Sequence, residues 1–155
     1  MNSAFGLLDR KQTIQNARQF LYEYRDWKIK EARFSLSLQS PIMDGMPKAQ
    51  SDPSHTRNED KMIEQATAQK ECEIRLKTIQ LMSSIDDQNA LLADLLEYRF
   101  INHYKVKKCC ERLAEKYDLG YLPERTYNDY QKQALLVFAL VCPRDTLRVK
   151  KSDDN

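Results

Sequence analysis

Arg125, Thr126, Asn128 and Gln131 fall close together at the start of a helix expected from Glu124 to Val141, with Asp129 and Lys132 beside them on the outward face. Arginine can bond guanine in a bidentate way, and asparagine or glutamine can do the same with adenine. A helix expected from Lys105 to Tyr117 precedes it and carries Lys105, Lys107, Lys108, Arg112 and Lys116. Such cations, with Lys132, suit phosphate oxygens, whose contacts set register rather than read sequence. The inward faces (Cys110, Leu113, Ala114, Ala134, Leu135) are small or aliphatic, so the two helices can approach closely. About six residues containing Gly120 and Pro123 join them, the layout of a helix-turn-helix whose second helix enters the major groove. The same spacing also fits two helices of an ordinary bundle with a solvated outer face.

Charge favours the first of these. The chain has 155 residues and a net charge of +2. From Arg99 to Lys151 twelve bases face six acids, a surplus of +6, which leaves −4 on the remainder. A basic C-terminal third on a mildly acidic chain points to a polyanionic partner, double-stranded DNA, for that third.

Other chemistry finds little footing. There is no glycine-rich phosphate loop and no nucleophile elbow, so the chain is expected not to be an enzyme, with no cofactor and no small-molecule substrate. Cys72, Cys109, Cys110 and Cys142 form no CxxC pair, and with only His55 and His103 to join them no metal spacing results. Reduced core thiols in a cytoplasmic protein are expected instead. Asp86-Asp87 suits a helix start, where the dipole favours acids. His103 suits an inter-helix cap, and Tyr127, Tyr130 and Trp27 suit packing. No apolar run approaches the roughly 20 residues that span a bilayer, so no membrane partner is expected.

The elements that must position these groups are helical. Three glycines leave few turns for an all-β fold. A first helix is expected from about Asp9, as N-cap, to Phe34, with a stripe of Ile14, Ala17, Phe20, Leu21, Tyr24 and Trp27. Pro41, Gly45, Pro47 and Pro53 break the pattern between Ser35 and Asn58, giving a strap. A second long helix, about Glu59 to Met82, has a thin seam of Met62, Ala66, Cys72, Leu76, Ile79 and Met82, suited to a hairpin or coiled coil within or between chains. Asp86 to Ile101 should form a leucine-rich helix, and Pro123 fits the first position of the last one.

The strap segment Leu38-Gln-Ser-Pro-Ile-Met-Asp-Gly-Met-Pro-Lys48 resembles that of the ArpU family of phage-borne transcriptional regulators, relatives of RinA-type late-gene activators. Asn58-Glu59-Asp60 ahead of a charged helix, Arg125-Thr-Tyr-Asn-Asp-Tyr130 and Ala134-Leu-Leu-Val-Phe-Ala139 extend the resemblance, from about Ala17 to Ala139. It implies a C-terminal domain like the fourth region of sigma factors and activation of late phage genes for packaging, structure and lysis. The turn from Tyr117 to Glu124 departs from the family pattern, being longer and carrying Pro123 where a serine cap is usual.

The expectation is therefore an all-α protein. Residues 1–83 would form a two-helix scaffold for self-association with the strap at 35–58, residues 84–142 a helix-turn-helix domain, and residues 143–155 a flexible basic tail. Its function would be sequence-specific binding of promoter DNA, with RNA polymerase as a further partner and a homodimer as the assembly. Two rivals share the pattern: an oligomeric component of phage DNA packaging, like a small terminase, and a protein-interaction module that never meets DNA.

Overall fold

The computed structural model describes residues 7–39 and 53–152. Its described residues are all-α, apart from one antiparallel bridge between Leu8 and Lys150. The helices are α1 (Arg10–Tyr22), α2 (Tyr24–Gln39), α3 (Pro53–Ser83), α4 (Asp87–Leu96), α5 (Val106–Lys116) and α6 (Glu124–Val141). A π-helical turn (Glu97–Ile101) extends α4, and a 3-10 turn (Asp145–Leu147) follows α6. Most of the strap, with the motif that carries the family resemblance, lies outside the described residues. No helix among the described residues is long and apolar enough to cross a membrane.

The chain divides into two compact units, residues up to Tyr22 with those from Arg75 onward, and Glu23–Ile74. A boundary after residue 83 is therefore not where packing divides the chain. The reason lies in α1, which packs against α6 and contributes buried Ala17, Phe20 and Leu21 to the same core as the C-terminal helices. Phe20 and Phe138 meet at 5.9 Å with their rings tilted, and Tyr22 meets Phe100 edge-on at 5.1 Å.

The expected first helix is two. Asp9 is its N-cap, as the sequence implies: a carboxylate oxygen accepts from the Gln12 amide at 3.1 Å. The helix breaks at Glu23, with neither proline nor glycine nearby. Arg75 supplies a physical reason, because its Nε donates to the Phe20 carbonyl at 2.8 Å and its guanidinium lies 3.7 Å from the Phe20 ring centre. In an unbroken helix that carbonyl would accept from the amide four residues on. A side chain inserted into the ladder is a recognised cause of a break.

On α3 the buried positions are Ala68, Cys72, Arg75, Thr78, Ile79 and Met82; all but Thr78 follow a four-three-four-three spacing. Met62, Ala66 and Leu76, expected in the seam, are exposed instead. In the unit Glu23–Ile74, Tyr24, Ala68 and Cys72 are the buried apolar residues among those described.

The C-terminal segment is not free as far as Lys151. Asp9 N–H donates to the Val149 carbonyl at 2.8 Å, Val149 N–H to Thr13 Oγ1 at 3.1 Å, and Lys151 N–H to the Leu7 carbonyl at 3.0 Å. Leu147 is buried, and Arg148 donates from Nη1 to the Ala139 and Cys142 carbonyls at 2.6 and 2.7 Å. That cation satisfies the orphan carbonyls at the end of α6, where the helix dipole favours it. All four cysteines are buried thiols that form no disulfide.

Candidate nucleic-acid interface

The helices that would carry the interface pack mutually, α4 on α6, α5 on α6 and α4 on α5. Their shared core is Leu91, Leu92, Leu95 and Leu96 from α4, Cys109 and Leu113 from α5, and Tyr127, Ala134, Leu135 and Phe138 from α6. Asp86 caps α4 by accepting from the Asn89 amide at 2.7 Å. Pro123 stands at the N-cap of α6 in an extended conformation, one position before the helical site expected for it.

Helix α5 ends on a tightly bonded turn. Asp118 has a left-handed φ of 52°, the Leu119 amide donates to the Ala114 carbonyl at 2.9 Å, and the Asp118 amide donates to the Glu115 carbonyl at 3.4 Å. This is the Schellman arrangement, with aspartate in the place glycine usually takes. Gly120 follows at φ 75°, bracketed by a bond from the Tyr121 amide to the Leu119 carbonyl at 2.8 Å. A three-residue γ-turn with positive φ is strained, and glycine bears it best. His103, at the turn before α5, also adopts a left-handed φ of 58°.

On α6, Arg125, Asn128 and Lys132 follow three-and-four spacing and are all exposed, opposite the face that buries Tyr127 and Ala134. Asp129 shares that exposed face. Thr126 and Gln131 lie at its flanks and are half-buried, so the structure separates them from the other two expected base contacts. Among the described residues Arg125, Asn128 and Lys132 hold no ion pair and no side-chain hydrogen bond.

The cations of α5 divide by flank. Lys108 and Arg112, one turn apart, rise beside Tyr104: Lys108 Nζ lies 3.9 Å from its ring centre and the Arg112 guanidinium 5.8 Å. Tyr98 stacks on Tyr104 at 5.9 Å, and the Tyr104 carbonyl accepts from Arg99 Nη1 at 3.2 Å and from the Cys109 thiol at 3.6 Å. This aromatic support for the basic flank has no periodic signal in the sequence, since Tyr98 and Tyr104 sit on either side of a turn. Lys105 is the exposed N-cap of α5. Lys107 stands at helical spacing with Glu111 and Glu115, and these three separate the groove of Lys105, Lys108 and Arg112 from the cleft before α6.

Lys116 is committed elsewhere. Its ammonium meets the Asp94 carboxylate on α4 at 2.7 Å, and the Tyr117 hydroxyl donates to the same oxygen at 2.5 Å. That clamp ties α5 to α4, and burial together with the Asp94 bond pushes the Tyr117 pKa well above its ordinary value. Burial likewise raises Tyr127, whose neighbour is Cys109, and raises the Cys109 and Cys110 thiols. The Tyr127 hydroxyl is fully buried with no hydrogen-bond partner among the described residues. Comparison with known protein families, with characterised proteins and with solved structures finds no match.

Proposed function

We propose that this protein is a sequence-specific DNA-binding transcriptional regulator in which α5, the turn and α6 act as a helix-turn-helix. The observation that carries this reading is the face of Arg125, Asn128 and Lys132. These three side chains stand outward on the first turns of α6, unengaged, on a helix whose opposite side is locked into the core. Side chains of these types, held rigidly and without partners, suit base edges and phosphates in a major groove. Lys105, Lys108 and Arg112 then supply phosphate contacts, and Lys132 joins them from α6. Lys116 is left out, because Asp94 already neutralises it. Gln131 and Thr126 play at most a flanking part.

The resemblance of the strap and of Arg125–Tyr130 to the ArpU family adds the biological side of the proposal: activation of late phage genes at a promoter, in the cytoplasm of the host, with RNA polymerase as a protein partner and a dimer as the working form. The test is binding to promoter DNA from the gene's own neighbourhood, against scrambled competitor, over a salt series. Preference for the promoter with affinity falling as salt rises is the expected result. Absence of binding at every salt concentration would overturn the reading in favour of a protein-interaction module.

A further inference from the structure

The second flank of α5 opens on a different kind of surface. Between α5 and the turn before α6 lies an open cleft of about 660 Å³. Its floor is Cys110, Ala114 and Leu122, of which Cys110 and Leu122 are buried. Around the floor stand Glu111, Glu115, Asp118 and Glu124, four carboxylates, with Lys107. Glu111, Glu115 and Lys107 also form the wall shared with the groove of Lys105, Lys108 and Arg112, so Asp118 and Glu124 are the acids of this cleft alone. At the mouth the Tyr121 side chain is 78% exposed, and Leu119 beside it is 40% exposed.

We propose that this cleft docks a cationic segment of a partner protein, which seats an apolar side chain on the floor and sets lysines or arginines against the acidic rim. Charge complementarity selects the occupant. The cleft adjoins the basic groove of Lys108 and Arg112 across the wall of Glu111 and Glu115, but the four carboxylates around it repel a nucleic acid. A small cation would satisfy the rim but leave Tyr121 and Leu119 in water, and that apolar surface at the mouth asks for a larger body. The site is preorganised, because the Schellman turn at Asp118 and the γ-turn at Gly120 fix the mouth by main-chain bonds. With base-reading residues on α6 and acids on this flank of α5, DNA and a protein could be held at once. The proposal does not depend on the DNA reading, since it uses none of the same side chains.

The test uses the full chain, labelled with nitrogen-15, and two short helical peptides of the same leucine pattern, one with lysines and one with glutamates at its polar positions. The lysine peptide should bind, with amide shifts concentrated at Cys110, Ala114 and Gly120–Leu122, and the glutamate peptide should not. The double variant Glu111→Lys with Glu115→Lys, both exposed positions, should weaken binding at least about tenfold. Equal binding of both peptides, shifts centred elsewhere, or undiminished affinity of the double variant would overturn the proposal. Concentration-dependent shifts at the same amides without peptide would overturn it in favour of a second copy of the chain.

Discussion

Arg75 and Phe20 are joined twice, by a 2.8 Å bond from Nε to the backbone carbonyl and by a guanidinium seated 3.7 Å from the ring centre. The arginine is 1% exposed, so these contacts are made away from water. A hydrogen bond from a charged donor to a buried carbonyl contributes about 1.5–3 kcal/mol, and a desolvated cation–π contact about 2 kcal/mol. Arg75→Ala should therefore cost about 2–4 kcal/mol, allowing for overlap between the two effects. Arg75→Lys keeps the charge but loses the planar fork and the Nε donor, so it should recover less than half of that. Urea unfolding of the two variants checks this; a lysine variant as stable as the parent would show that charge alone matters.

How much of this was legible in the sequence depends on the range of the interaction. The bounds of α6 emerge directly from periodicity, and those of α5 and the caps at Asp9 and Asp86 follow within a residue or so, because local spacing and local hydrogen bonds decide them. The break at Glu23 is invisible locally, since its agent is Arg75, more than fifty residues away. The same arginine hides the seam of α3: a charged residue at the centre of a four-three pattern makes the true stripe look polar, and draws attention to Met62 and Leu76, which are exposed. The C-terminal segment reads as a free basic tail because its partners, Leu7, Asp9 and Thr13, lie at the opposite end of the chain. At the candidate interface, residue types were legible but engagement was not. Nothing near Lys116 in sequence announces Asp94, and the acids at the wall between the two grooves of α5 can be placed only once its core face is known.

The buried tyrosine of α6 offers a test with an unusual sign. Its hydroxyl is desolvated without a hydrogen-bond partner among the described residues, so Tyr127→Phe should leave stability within about 1 kcal/mol of the parent, or raise it. At high pH the variant should gain clearly. In the folded chain burial holds the Tyr127 pKa far above its ordinary 10.0, whereas in the unfolded chain the phenol ionises near that value. Above pH 10 the unfolded state binds fewer protons than the folded one, so stability present below pH 10 is lost as pH rises. Removing the group should flatten that fall by about 1.4 kcal/mol per pH unit. The raised Cys109 and Cys110 thiols act with the same sign from about pH 9. Unfolding curves of both proteins between pH 7 and 11 read the difference; parallel pH profiles would contradict the burial of Tyr127.

Two neighbouring turn positions, both at positive φ, should respond oppositely to losing and to gaining a glycine. Gly120 has φ 75° and nothing within 4 Å of where a Cβ would stand. Gly120→Ala therefore meets no steric clash and should cost about 1–2 kcal/mol through backbone conformation alone. Asp118 carries a left-handed φ of 52° without being glycine, so Asp118→Gly should raise stability by up to about 1 kcal/mol. Thermal melts of the pair decide, and a destabilised Asp118→Gly would mean that its carboxylate does more than cap the turn.

On promoter DNA the cations should sort by their engagement. Arg125→Ala should cost about 1–3 kcal/mol at the cognate site and little on scrambled DNA, because a base contact carries sequence information. Lys108→Ala should weaken both alike and reduce the salt slope by about one, as expected for a phosphate contact. Lys116→Ala is the discriminating case. Its charge is paired with Asp94 and half-exposed, so its removal should cost under about 1 kcal/mol of stability and leave the salt slope unchanged. A Lys116 variant whose slope falls as far as that of Lys108 would show that DNA draws the lysine off Asp94. In that event the clamp between α4 and α5 would itself open on binding, and Tyr117, sharing the same carboxylate, would report it through a change in its own titration.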